Sequence, residues 1–183
     1  PKICDGTRVE VGDTLIGLPA MGLHTNGYSL ARKLLFDTAG YKVDSHVEEL
    51  GKTVGETLLA PHPSYVDAVR AAADVADIRG MSHITGGGII DNIPRSLPDD
   101  QGAVVERGTW PELPVFDLLA KIGEDIDTEE LFQDFNMGVG YVFIVAADEA
   151  DKAVSAVRES GTEAFVIGQT VPSPEIRIQI VNG

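Results

Sequence analysis

Ser82 to Arg95 reads SHITGGGIIDNIPR, and its three consecutive glycines are the strongest chemical signal in the chain. Glycine gives up more backbone freedom on folding than any other residue, and a merely structural turn needs one or two of them at most. A short apolar run, Ile78 to Ile84, leads into Gly86, Gly87 and Gly88, and a helix-compatible stretch runs from Ile89 until Pro94 stops it. Main-chain N–H groups at such a strand, turn and helix start can approach an oxyanion, so the turn with Thr85 is a candidate seat for a phosphate or carboxylate. A tight turn that only packs strand on helix fits the glycines as well, because the loop lacks the Lys-Ser/Thr of a P-loop and the spacing of a dinucleotide fingerprint. Two more loops carry polar groups beside glycine. Gly22 to Gly27 holds His24, Thr25 and Asn26; His24 fits a loop-bonding imidazole or a site group, and Asn26 a cap or a ligand. Phe135 to Gly140 holds Asn136, which can orient a ligand or serve its turn. No Cys or second His stands at ligand spacing from His24 or His83, so no metal centre is expected there.

The elements that must position these loops follow from periodicity. Thr14 to Leu18 is a short, mostly apolar strand, and Leu30, Leu34 and Leu35 make the apolar stripe of a helix with Thr25 or Asn26 as N-cap and Gly40 at its end. A short helix is expected around Val54 to Leu58. Pro63 to Val75 reads as a scaffold helix with Pro63 near its first turn and Tyr65, Val66, Val69 and Ala73 at helical spacing. His62, between two prolines, reads as an exposed loop residue. Gly102 to Glu106 is a strand, Val115 to Ile122 a helix closed by Gly123, and Asp127 with Glu130 a capping box for Thr128 to Phe132. YVFIVAA after Gly140 is the strongest strand. Asp148 caps an amphipathic helix that buries Ala150, Val154 and Val157, Ala164 to Val171 is a strand, and Glu175 to Ile180 alternates as an edge strand does. The order of elements indicates a mixed α/β sheet with helices on its faces.

Composition narrows the function classes. The 183 residues carry 14 basic against 29 acidic side chains, a net charge of -15, which argues against a nucleic-acid or anionic-membrane surface. Any anion must therefore be met locally. One cysteine, Cys4, excludes an internal disulfide framework and fits a reducing compartment, and the absence of a membrane-length apolar run or secretory signal points to the cytoplasm. No linker-like stretch divides the chain, so one domain over residues 1–183 is expected. The opening on Pro1, almost at once in a strand, suggests a piece of a longer polypeptide.

Three stretches combine into a resemblance: GLPAMGLHTNGYSLARK (Gly17 to Lys33), HITGGGIIDNIPRSLP (His83 to Pro98) and FNMGVGYVFIV (Phe135 to Val145). In this order they resemble the C-terminal domain of the aminoimidazole ribonucleotide synthetase (phosphoribosylformylglycinamidine cyclo-ligase) family. ETLLAP before Tyr65-Val66, the Trp110 to Phe116 segment and AFVIGQTV are also similar, so the likeness covers nearly all of the chain. Two departures stand out. His62-Pro63-Ser64-Tyr65-Val66-Asp67 replaces the family's usual Thr-Arg-Ile-Tyr-Val-Lys, which removes basic groups, and Tyr141 stands where Met is more usual.

The resemblance implies a three-layer α/β/α mixed sheet with partial ferredoxin-like topology. It implies a purine-biosynthetic ligase in which ATP activates the formyl oxygen of formylglycinamidine ribonucleotide and a nitrogen closes onto that carbon, giving aminoimidazole ribonucleotide, ADP and phosphate. ATP and Mg2+ would be bound mainly by an N-terminal domain that this chain lacks and that makes most of a homodimer interface. The implied partners are thus that domain, ATP and the ribonucleotide. His24 and His83 would be catalytic, donating to a phosphoryl oxygen or moving the proton lost on ring closure. Thr25, Asn26, Thr85, Gly86, Gly87, Gly88 and Asn136 would hold substrate or nucleotide. A non-catalytic anion-binding module, or a domain of a sister ATP-dependent ligase, are the competing readings.

Overall fold

The computed structural model describes residues 3–173, 175 and 177–183. The chain begins with β1 (Thr14–Pro19), whose side chains alternate: Leu15 enters one apolar cluster, and Ile16 and Leu18 enter another on the opposite face. Then follow α1 (Tyr28–Arg32), extended by a wider π-type turn through Thr38, a small hairpin of β2 (His46–Val47) and β3 (Lys52–Thr53), α2 (Val54–Leu58), α3 (Val66–Val75) and β4 (Gly80–His83). The second half adds α4 (Gly88–Asn92), β5 (Gln101–Arg107), α5 (Pro114–Ile122), α6 (Thr128–Asp134), β6 (Val139–Val145), α7 (Ala150–Glu159), β7 (Phe165–Pro172) and β8 (Ile178–Asn182).

Among the described residues six strands form one sheet in the order β4-β6-β1-β7-β5-β8, antiparallel at every step except the parallel pair β5/β8. The units β1-α3-β4 and β6-α7-β7 interleave, so that β7-β1-β6-β4 is the ferredoxin-like arrangement, and β5 and β8 extend it beyond β7. Both crossover helices lie on one face. There Ala68 and Ala72 of α3 and Ala153 and Val157 of α7 pack over Ile16, Leu18, Phe143 and Val145, and the small alanines let the two helices approach closely. The other face is covered by Ala31 of α1, Ile89 of α4, Phe116 of α5 and Phe132 of α6 over Leu15, Val142 and Ile144. The expected three layers and mixed sheet are therefore present.

Local differences have local causes. Neither Thr25 nor Asn26 caps α1; its N-cap is Gly27, in the left-handed region at φ 71°, because a Cβ there would meet the Phe135 ring at 2.6 Å. α3 starts at Val66, after Pro63, and buries Ala68 and Ala72, while Val66 and Ala73 stay exposed. Asp148 lies in a 3-10 turn ahead of α7 and does not cap it; Ala150 and Val157 are buried as expected, Ala153 joins them, and Val154 is only half-buried. α2 opens on a capping box: Thr53 accepts from Glu56 N–H, and the Glu56 carboxylate accepts from Thr53 N–H in return. Asp127 accepts from Glu130 N–H at 2.8 Å, but among the described residues no return bond from Asp127 N–H to the Glu130 carboxylate completes the expected box. β8 occupies an edge as its alternation requires, although Ile176 of that pattern lies outside the described residues.

Candidate functional site

The C-terminal ends of β1 and β4 and the N-terminal end of β6 lie at the same end of the sheet, because β6 runs antiparallel between them. The three glycine loops are thereby gathered there. Asn136 ties two of them together: its side-chain NH2 donates to Gly22 O at 2.8 Å and its oxygen accepts from Gly138 N–H at 2.9 Å. Ala20 N–H adds a bond to Gly138 O at 2.8 Å, and the Trp110 indole N–H donates to Met137 O at 2.8 Å. Asn136 is fully buried, so in this conformation its amide serves the loops.

His24 and His83 come together through a residue that sequence reasoning set aside. The His24 ring stacks on His62, with centroids 4.1 Å apart and planes 13° from parallel, and His62 Nε2 lies 3.0 Å from His83 Nε2. Tyr65 and Tyr141 close the group, their rings 5.4 Å apart, with Tyr141 6.1 Å from His83 and the Tyr65 hydroxyl donating to Pro19 O at 2.9 Å. His62 and His83 are exposed, whereas His24 is buried. Gly140 makes room for this packing: a Cβ there would lie 2.0 Å from the Tyr65 hydroxyl and 2.5 Å from His24 Cε1. Beside the imidazoles, a groove of about 330 Å³ runs between His62, Tyr65, Val69, Met81, His83 and Tyr141, largely apolar in lining.

The backbone that presents His24 is strained. His24 and Thr25 sit at φ 55° and 65°, in the left-handed region where a side chain costs roughly 1 kcal/mol or more each. Internal bonds offset this: Asn26, with its amide nitrogen turned to the carbonyls, donates to Leu23 O and His24 O, and the Thr25 hydroxyl donates to His24 O. Met21 N–H donates to His24 Nε2 at 3.1 Å, so that nitrogen carries no hydrogen and the ring proton resides on Nδ1, which has no partner among the described residues.

Burial pushes the His24 imidazole down to about 4, with His62 and His83 adding to the shift. His83 is lowered in the same direction, first by desolvation and then by His62. The consequence for stability has a definite sign. Below the ordinary imidazole value near 6.5 the unfolded chain takes up a proton that folded His24 refuses until about pH 4. Stability should therefore fall as pH drops through that window, by up to about 3 kcal/mol from this residue. Urea unfolding between pH 4 and 7 measures it, and His24→Leu should flatten the acid-side loss.

The glycine turn carries the chain from one face to the other, since His83 joins the aromatic group beside α3 while Ile89 packs with α5 and α6. Gly88 N–H donates to Thr85 O at 2.9 Å and closes the turn, and among the described residues no carbonyl accepts from Gly86 or Gly87 N–H. Buried Asn92, unnoticed in the sequence, organises the carbonyl side: its NH2 reaches Gly88 O at 2.8 Å, Gly86 O at 3.2 Å and Thr85 O at 3.3 Å. Thr85 Oγ1 donates back to Asn92 Oδ1 at 3.2 Å. The Asp91 carboxylate lies against Gly87, where an added Cβ would be 2.6 Å from Oδ2. The open side of the turn is at Gly86, where a Cβ would meet nothing within 4 Å.

Mg2+ does not fit these residues. It demands oxygen ligands in octahedral array, whereas the cluster offers imidazole nitrogens already paired or stacked, and among the described residues no group of three His, Cys, Asp or Glu side chains could hold a metal ion. Among the described residues no helix is long and apolar enough to cross a membrane.

Residues 10–181 match the family described as AIR synthase related protein, C-terminal domain. A phosphoribosylformylglycinamidine cyclo-ligase of Bifidobacterium longum subsp. infantis is 46% identical over 168 residues, which are 91% of this chain and 48% of that protein. One of Bifidobacterium animalis subsp. lactis is 42% identical over 180 residues, 98% of this chain and 52% of the relative. The chain thus spans about half the length of the curated relatives it matches. Among solved structures, E. coli HypE superposes with a TM-score of 0.63 at 15% identity, covering 96% of this chain and 48% of that one. T. maritima PurL complexed with FGAR gives 0.57 at 12% identity, covering 98% and 27%. At such identities the likeness establishes a common fold, and ancestry rests on the sequence matches. With its ferredoxin-like sheet and the three motif loops at one end, the chain belongs to the AIR synthase related protein family, of which it carries the C-terminal domain.

Proposed function

We propose that the chain is the C-terminal part of an ATP-dependent cyclo-ligase that converts formylglycinamidine ribonucleotide to aminoimidazole ribonucleotide, ADP and phosphate. The observation that carries this reading is the gathering of His24, His62 and His83 at the end of the sheet where the three glycine loops meet. Positioning and electrostatic stabilisation are most of what phosphoryl transfer asks of a protein, and one wall of a cleft can supply both. In this scheme Gly86 and Gly87 N–H groups, with Thr85, meet a phosphate oxygen, and Gly88 sets the turn. Thr25 and Asn26 border the substrate, and Asn136 keeps their loop in register. His83 exchanges the proton lost on ring closure, and neutral His24 forms the floor of the imidazole group. ATP and Mg2+ belong mainly to an N-terminal half that also builds a homodimer, and the reaction is placed in the cytoplasm.

The test joins this chain to the N-terminal half of a cyclo-ligase. The joined enzyme should consume ATP and form aminoimidazole ribonucleotide, and the 183-residue chain alone should not. Replacing His24 and His83 together by Ala should lower kcat by about 100-fold or more. A joined double variant with an unaltered rate would remove the histidine assignment.

A further inference from the structure

The 3.0 Å approach of His83 Nε2 to His62 Nε2 is a hydrogen-bond distance, at which one nitrogen must carry a hydrogen and the other must not. Two neutral rings satisfy this with opposite tautomers. One added proton satisfies it better, because the bond becomes charge-assisted. A second added proton sets two N–H groups head to head, so the contact accepts one extra proton and rejects two.

The surroundings hold this geometry and leave the proton free to move. His62 is flanked by Pro61 and Pro63, which restrict its backbone, and its ring lies flat against His24. His24 does not compete, since its Nε2 lone pair is taken by Met21 N–H. Among the described residues the titratable groups facing the pair are His24 from the loop after β1, Tyr65 from the head of α3 and Tyr141 from β6. Burial pushes both phenols up, so they stay protonated, and no carboxylate is among the groups that perturb His24 or His83. No carboxylate among the described residues therefore pins a proton on His83.

We propose that His62 and His83 work as one proton-sharing unit at the mouth of the groove, with His62 as the positioning residue that orients His83 and spreads its charge. The source of the proton rests on the cyclo-ligase reading. As the substrate nitrogen bonds to the formyl carbon, the C–O bond breaks and its electron pair leaves on phosphate; the nitrogen's N–H proton passes to the pair and from there to solvent.

Ring-nitrogen NMR of the 183-residue chain tests the unit without reference to activity. The His62 and His83 signals should move together over one pH interval, and His62→Gln, which can still hydrogen-bond but cannot share the proton, should make His83 titrate as a lone imidazole. In the joined enzyme His62→Gln should lower kcat/KM about tenfold and move the acid limb of the pH–rate profile, with no further loss in a His83→Ala background. Two independent titrations, unchanged by His62→Gln, overturn the pair. A joined enzyme that titrates as a pair but never cyclises overturns the cyclo-ligase reading and leaves the pair standing.

Discussion

Gly140→Ala in the joined enzyme is expected to reduce kcat/KM on the order of 100-fold while destabilising the fold by about 2 to 3 kcal/mol. The methyl group would arrive 2.0 Å from the Tyr65 hydroxyl and 2.5 Å from His24 Cε1, distances that force one or both rings away. Moving His24 removes the surface on which His62 lies, and with it the register of His62 against His83. Tyr65→Phe removes the nearer obstacle, so the double variant Gly140→Ala/Tyr65→Phe should recover part of the lost stability. It should recover less of the rate, since the His24 ring is still displaced. Urea unfolding and steady-state kinetics on the four proteins of this cycle read both quantities; an unperturbed Gly140→Ala protein would mean the rings are not packed as described.

The three glycines of the turn should separate sharply. Gly88→Ala is expected to cost about 4 kcal/mol or more, lowering Tm by roughly 10 °C, because the new Cβ would lie 2.0 Å from Phe132 O and 2.7 Å from Phe135 O at a φ of +55°. Backbone carbonyls at the end of α6 cannot swing aside as a side chain can. Gly86→Ala, facing open space at an unstrained φ, should change stability by no more than about 0.5 kcal/mol. In the proposed scheme its methyl group would stand on the side from which the phosphate oxygen reaches the turn, so a slower joined enzyme with an unchanged Tm is the expected signature of an anion seat. Thermal unfolding of the chain with each substitution, followed by kinetics for Gly86→Ala, distinguishes packing from binding one glycine at a time.

Much of the scaffold was legible because its signals are local. Thr14 to Leu18 and YVFIVAA are apolar runs bounded by turns, and Asp127 with Glu130 is a capping pattern, each readable within ten residues. The resemblance to a family added the three-layer architecture, which no single element specifies. The failures are equally physical. Gly27 replaces Thr25 or Asn26 as the N-cap because an aromatic ring from residue 135 fills the space, and α3 turns its alanines inward because α7 packs against them.

The amino-acid sequence by itself determined the strands of the large sheet, most helices, the acidic balance and the three glycine loops, but not the small β2/β3 hairpin, since periodicity, charge and turn chemistry act between near neighbours in the chain and two-residue strands carry no period. Tertiary structure alone decided that His62 belongs with His24 and His83, that Asn92 and Asn136 brace loops, and that Gly88 and Gly140 must lack side chains. Those outcomes depend on strand order, which places β4 and β1 on either side of β6 and brings residues far apart in the chain within hydrogen-bonding reach. Contacts of that kind leave no periodic trace, because neither partner's neighbours record what the fold will set against it.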